Sequence, residues 1–401
     1  MTSYNDCMAL MKLAFLCNNM KSTNGVERVL SQRLSLLADS GEYDVYLITS
    51  NQYGAPFSFP VSEKVHYVDL ATRYIKGCSF HGWFQYLDRF LSKIIYKHVV
   101  RRCLFSINPD VITCIDIHLA DLTTISELSI NATKVVECHC GLSAYYGDIE
   151  KYPLDKRSKE LKIKEKLVSS VGRFDKVVVM TEAEKEDWGL GNKVVCVPNM
   201  LASFSDVDHD NRQTSHRVIS VGRYAFQKGY DMLLDAWKIV EGKYPEWSLH
   251  IYGSCDGGNG EYELLNDNIR QSSLQSFVLH PATSDVYSHY IESSFYVMSS
   301  RYESFGLTII EAMACGLPII SFDCKYGPSS IVKNGETGIL VPQNNTEKLA
   351  DAIITMIENE ELRDRMGANA CLESKKYLPE NIMPLWHDFY KSLGIGRSID
   401  A

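Results

Sequence analysis

Residues 299–321, SSRYESFGLTIIEAMACGLPIIS, place two glutamates, Glu303 and Glu311, eight positions apart in a run that is mostly small or apolar. FYVMSS (295–300) just upstream reads as a buried strand with a polar exit, and PIISFD (318–323) downstream reads as the next strand. The intervening residues have the length and pattern of a helix that begins near Gly306 or Leu307, with Ser304 available as its cap. Glu303 then lies in the loop and Glu311 in an early helical turn. An unpaired carboxylate is costly to bury. Two readings stand: a dipole partner plus a solvated glutamate, or two carboxylates that meet a hydroxyl-rich ligand.

Strand, helix and strand in this order build a parallel sheet, and the unit recurs along the chain. MKLAFLCNNM (11–20) is followed by a segment in which Val26, Val29, Leu30, Leu34 and Leu37 recur at helical spacing, with Gly41 as a stop and YDVYLIT (43–49) as the next strand. PDVITCI (109–115), KVVECH (134–139), DKVVVMT (175–181) and NKVVCVPNM (192–200) continue the series. The polar stretch LASFSDVDHDNRQTSH (201–216) has almost no periodicity, and the scheme restarts at RVISVGRY (217–224). WSLHIYG, FVLHP, FYVMSS, PIISFD and TGILVP supply the later strands. The expected fold class is α/β: a domain over 1–200, a linker over 201–215, a second domain over 216–376 and a closing helix over 377–396. Two such units facing each other make a cleft, and ligands of doubly wound sheets bind beyond the C-terminal strand ends.

The 401 residues suffice for two domains, and 45% hydrophobic with 23% charged residues is ordinary for a globular chain. A formal charge of −9 argues against a nucleic-acid binder that relies on a globally basic surface, while leaving room for a local basic patch. The twelve cysteines are scattered, several inside strand-like runs, which reads as reduced, cytoplasmic usage. No run approaches the length of a membrane span. MALMKLAFLC (8–17), interrupted by Lys12, reads as a first strand and not as a signal peptide.

Several clusters carry candidate chemistry. In VGRYAFQKGYDMLLDAW (221–237), Arg223 and Lys228 flank a turn between strand and helix, which suits a diphosphate, although exposed basic residues of no special role have the same look. Asn24 and Gly25 open the first helix without the G-x-G-x-x-G or Walker pattern; an ordinary cap and a ligand approach both fit. His139 sits between Cys138 and Cys140, whose alternation along a strand speaks against a metal site; a cleft-facing and a structural histidine remain. SDVDHD (205–210) reads as a solvated turn, and no G-x-S-x-G is present. Ser329 and Ser330 are cap candidates for a short helix in a Gly-punctuated loop. Residues 151–173 hold eight Lys or Arg against three Asp or Glu with an incomplete stripe of Leu161, Leu167, Val168 and Val171, so that a contact with an anionic membrane and a helix packed on one side are both open.

Taken together, ESFGLTIIE resembles the E-x7-E signature of retaining glycosyltransferases of family 4, EAMACGLPII the residues around its second glutamate, VGRYAFQKG its phosphate-gripping segment, and NGVERV its N-terminal glycine loop. Asn24 stands where that loop often has a first glycine. The resemblance implies the GT-B architecture, two facing Rossmann-like domains with parallel sheets and an interdomain cleft, with the C-terminal helix returning to the first domain. It implies transfer of a hexose or N-acetylhexosamine from a nucleotide sugar with retention of configuration and no required metal or other cofactor. Arg223 and Lys228 are implied to stabilise the departing diphosphate, Glu311 to bind the ribose and Glu303 to lie by the transferred sugar. Phe305, Gly306 and Leu307 are implied to present backbone to the sugar or phosphate, with Gly25 by the diphosphate and His139 near donor sugar and acceptor. Asn24, Gly222 and Ser304 complete the implied donor-binding set.

FDCKYGPSSIV (322–332) resembles loops of bacterial enzymes that build surface polysaccharides and lipid-linked oligosaccharides. It favours a UDP-sugar, with GDP-mannose as rival, in a cytoplasmic enzyme acting on a glycan or polyprenyl-diphosphate-linked acceptor; if the acceptor is lipid-linked, 151–173 would hold the protein at the inner face of the membrane. A non-catalytic nucleotide-sugar-binding regulator, and a sugar-nucleotide isomerase or hydrolase, are the competing readings.

Overall fold

The computed structural model describes residues 10–72, 83–115, 119–142, 154–201, 215–255, 260–272 and 274–393. These form two compact units, each an α/β body. The first comprises the described residues through Met180, Lys185–Val197 and those from Met383 onward; the second comprises Thr181–Glu184 and Pro198–Ile382. Nearly all of the linker expected at 201–215, SDVDHD included, lies outside the described residues.

In the first unit the chain runs β1 (Met11–Cys17), α1 (Gly25–Asp39), β2 (Tyr43–Thr49), β3 (His66–Asp69), α2 (Trp83–Ile107), β4 (Val111–Ile115), α3 (Leu119–Ser126), β5 (Thr133–Cys138), α4 (Leu154–Val171), β6 (Lys176–Val179), α5 (Glu182–Trp188) and β7 (Val194–Cys196), with α5 beginning in the segment assigned to the second unit. The strands form one parallel sheet in the order β3-β2-β1-β4-β5-β6-β7. VITCI of β4 is buried at every position, as expected of a central parallel strand covered on both faces. On one face, Tyr96, Val100 and Leu104 of α2, Leu122 and Ile125 of α3 and Leu167 and Val171 of α4 share a core with the strands.

The second unit runs β8 (Arg217–Val221), α6 (Tyr230–Glu241), β9 (Ser248–Gly253), α7 (Glu261–Ser272), β10 (Phe277–Pro281), α8 (Val286–Ile291), β11 (Phe295–Met298), α9 (Leu307–Ala314), β12 (Ile319–Asp323), α10 (Gly327–Ile331), β13 (Gly338–Pro342), α11 (Thr346–Glu358), α12 (Glu360–Ser374) and the start of α13 (Pro379–Ser392). Its parallel sheet has the order β10-β9-β8-β11-β12-β13. Trp237 of α6 and Ile353 of α11 sit fully buried in the core on one face.

Toward the other edge of that sheet, three histidines share a small ring cluster. His250 Nδ1 lies 2.8 Å from His280 Nε2, and the Tyr252 ring stacks on His280 and His289 with centroids at 4.4 and 4.2 Å. Burial, and then the charge of Arg217, lower the pKa of His250 from 6.5 to about 4. The unfolded chain therefore binds the proton first. Stability from this ring is complete above pH 6.5 and is lost as pH falls toward 4. After discounting for solvent around a half-buried ring, we expect about 2 kcal/mol over that window. Urea unfolding midpoints measured across it should fall more steeply for the parent than for His250→Asn; parallel pH profiles would remove this explanation.

Candidate active site

In the second unit the strand order turns at β8, whose neighbours are β9 on one side and β11 on the other. The loops leaving the C-terminal ends of β8 and β11 therefore lie side by side, at the position where doubly wound sheets hold ligands. They are residues 222–229 and 299–306, the two loops that carry Lys228 and Glu303.

Backbone and side chains fix these loops to each other. Gly229 has φ +63°, and a Cβ there would come within 2.1 Å of the Ser299 carbonyl oxygen. Ser299 Oγ donates to the Lys228 carbonyl at 2.9 Å, Arg301 N to the Gln227 carbonyl at 2.7 Å, and Gln227 Nε2 to the Tyr302 carbonyl at 3.0 Å. Arg301 completes the clamp with a two-pronged bond to Asp231 at 2.9 and 2.6 Å, while its guanidinium lies 3.9 Å from the Phe226 ring centroid.

Within this frame Lys228 Nζ contacts Glu303 Oε1 at 2.6 Å, and Ser300 Oγ donates to the same oxygen at 2.8 Å. Gly222 leaves the room this requires, since a Cβ would come within 2.9 Å of both Lys228 Cε and the Tyr230 hydroxyl. Tyr230 in turn donates to the Gly222 carbonyl at 3.1 Å. Arg223 is exposed and has no ion pair or hydrogen bond among the described residues, which leaves its guanidinium open to an anion. Glu311, 2% exposed on α9, accepts a hydrogen bond from the Tyr290 hydroxyl at 3.4 Å.

The helix starts differ from the sequence expectation. Ser304 does not cap α9: Gly306, at φ +98°, occupies the cap position and no side chain closes it. Ser329 and Ser330 do not cap α10, whose cap position is Tyr326; Ser330 Oγ instead donates to the Tyr326 carbonyl at 2.7 Å. The first-turn N–H groups of α9 thus have no side-chain cap and suit an anion or a sugar hydroxyl. Phe305 and Leu307 flank this start. Gly327 permits the approach, because a Cβ there would lie 2.1 Å from the Phe305 carbonyl oxygen.

The first unit holds a second cluster. Arg33 of α1 bonds Glu137 Oε1 at 2.9 Å, and Glu137 Oε2 lies 3.1 Å from His139 Nε2. All three side chains are buried, with 1%, 0% and 3% exposure. Burial alone would raise the Glu137 pKa, yet Arg33 and His139 together hold it below the usual carboxylate value. The Arg33 guanidinium is packed 4.0 Å from the Trp386 ring centroid and 5.4 Å from that of Phe15. The Glu137 carboxylate places a proton on Nε2 of His139 and orients the ring, and its buried Nδ1 has no partner among the described residues. Cys138 is buried and Cys140 exposed, so the residues flanking His139 do not converge on it. Asn24 occupies the cap position of α1 in extended backbone, without a side-chain cap bond, and Gly25 begins the helix.

Sequence reasoning missed Arg33, Glu137, Ser300 and Arg301, and read Gly327 only as punctuation of a loop. Glu137 left one signal, a carboxylate inside a strand run buried on both faces. The basic segment resolves into α4, with Leu167 and Val171 in the core and Lys162 and Lys166 exposed; residues 151–153 lie outside the described set. Among the described residues no helix is long and apolar enough to cross a membrane.

Residues 204–372 match the model of the glycosyl transferases group 1 family. An uncharacterized glycosyltransferase of Haemophilus influenzae is 28% identical over 94% of this chain and 99% of its own length. The amylovoran biosynthesis glycosyltransferase AmsD of Erwinia amylovora is also 28% identical, with the same coverage. The solved structure of a point mutant of S. aureus TarM in complex with fondaparinux, α-GlcNAc-glycerol and UDP has a TM-score of 0.75 at 15% identity, covering 95% of this chain and 100% of its own. The two parallel-sheet α/β units have the GT-B architecture, and the comparisons support a glycosyltransferase with a group 1 domain over residues 204–372.

Proposed function

We propose that this chain is a retaining glycosyltransferase of family 4. It moves a hexose or N-acetylhexosamine from a UDP-sugar to a glycan or polyprenyl-diphosphate-linked acceptor in polysaccharide biosynthesis, at the cytoplasmic face of the membrane and without a required metal. The observation that carries the reading is the convergence of Lys228 and Glu303 from two adjoining loops at the sheet's switch point, with Arg223 open beside them. The names of the relatives support polysaccharide synthesis, and the UDP in the TarM complex supports the nucleotide.

In this reading Arg223 and Lys228 compensate the charge that grows on the diphosphate as the sugar C1–O bond breaks. Glu311 takes the ribose hydroxyls, and the start of α9 presents backbone N–H groups to sugar or phosphate. Glu303 accepts from a sugar hydroxyl while steadying Lys228. Gly25, with Asn24 before it, lets the diphosphate approach α1. The acceptor oxygen forms its bond to C1 on the face the diphosphate leaves, and the acceptor proton passes to the departing phosphate oxygen. His139 lines the sugar and acceptor position.

Incubation with UDP-, GDP- and ADP-sugars, with and without glycan acceptors, reads nucleotide release, and NMR reads the anomeric configuration of the product. Release of UDP that rises with acceptor, and an α-linked product from an α-linked donor, are expected. Release from no donor, or an inverted product, would overturn the assignment.

A further inference from the structure

The outward face of α2 has an unusual composition. Its inward side chains, Tyr96, Val100 and Leu104, are in the core. On the opposite side Leu91, Ile94, Ile95 and Phe105 are 49%, 51%, 54% and 48% exposed. At ~100° per residue these four, with Arg101 and Arg102, fall within an arc of about 120°. A helix packed on one side ordinarily turns polar residues outward. Here the outward stripe alternates large aliphatic and aromatic groups with guanidinium groups, and Arg101 lies 5.3 Å from the Phe105 ring centroid.

Charge identifies what fits the stripe. Residues 83–107 carry five Lys or Arg and one Asp, a net +4, and residues 154–171 carry six against three, a net +3, in a chain of −9 overall. Lys97 of α2 and Arg173 just beyond α4 pair with the same residue, Glu127, at 3.1 and 3.5 Å. The two basic helices therefore flank one point of the same layer, and α4 also turns Leu161 outward, 45% exposed. Cations at phosphate level with apolar side chains below them match the boundary of an anionic bilayer.

We propose that the outward face of α2, formed by Leu91, Ile94, Ile95, Phe105, Arg101 and Arg102, docks on an anionic phospholipid bilayer, with α4 as its basic flank. This goes beyond the transferase reading and moves the apolar contact from the 151–173 segment to α2. The surface is independent of the donor loops, so donor turnover in the absence of membrane does not depend on it.

Sedimentation of the full chain with phosphatidylcholine vesicles, with and without phosphatidylglycerol, tests it. Binding to the mixed vesicles only, weakened by salt, is expected. Ile94→Ser with Ile95→Ser should lower it about tenfold or more at unchanged charge, and Arg101→Gln with Arg102→Gln should weaken the preference for the anionic lipid and its salt dependence, with α4 supplying the remainder. Soluble-donor hydrolysis and circular dichroism check that each variant is folded; Phe105→Ser repeats the test further along the stripe if the double serine variant does not fold. Absence of binding, equal binding to neutral vesicles, or parental binding by the folded variants overturns the proposal. So does a self-association abolished by the serine substitutions while vesicles are ignored, which would assign the face to a second copy of the chain.

Discussion

Lys228→Ala should lower turnover of the preferred donor by about 10²–10³-fold, the loss typical of removing one preorganised group from a site of developing negative charge. Two effects act in the same direction. The ammonium no longer meets the departing diphosphate, and Glu303, which lost its 2.6 Å partner, now repels it. The second effect raises KM for the donor as well. Lys228→Ala combined with Glu303→Gln separates them: donor KM should return most of the way toward the parent while kcat stays low. Arg223→Ala should also reduce kcat, with little change in stability, because its exposed side chain holds nothing in place among the described residues. Initial rates of nucleotide release and urea midpoints for the four proteins decide the matter. A Lys228→Ala enzyme with parental kcat would remove this lysine from the chemistry.

The sheet edges that carry this site were legible because their signals are local. Strand-like runs such as FYVMSS and RVISVGRY end in loops within a few residues, and a parallel sheet places those loops at its C-terminal edge. Cations and carboxylates at such ends stand out against the apolar strands. Helix caps were less legible. A serine near a helix start is a cap only if the backbone enters extended, and at Gly306 the chain enters with φ +98°, which moves Ser304 out of reach. The Arg33–Glu137 pair lay beyond reach for a different reason. Its members are 104 positions apart, and helical periodicity gives no sign that one arginine of α1 turns inward. The side-chain chemistry was stated in KVVECH; the partner was set by the packing of α1 and Trp386.

That pair underlies the second large effect. Arg33→Met should destabilise the protein by about 3–5 kcal/mol at neutral pH, because it leaves a fully buried carboxylate with only His139 beside it. The pH dependence identifies the cause. In the parent, the Glu137 pKa is held below its ordinary value, so its contribution is present above that value and is lost as pH falls through the lowered one. Without Arg33, burial dominates and the pKa rises above the unfolded value. Protonation then relieves the strain, and the deficit of Arg33→Met against the parent should narrow as pH falls and widen as it rises. Replacing both partners, Arg33→Met with Glu137→Met, removes the buried charges together and should recover most of the stability. Turnover should not recover with it, since the double variant no longer holds His139 by Nε2. Urea unfolding across pH, set beside initial rates, reads both. A deficit below about 1 kcal/mol, independent of pH, would mean that water or another group already compensates Glu137, and full activity in the stable double variant would show that the orientation of His139 is immaterial to transfer.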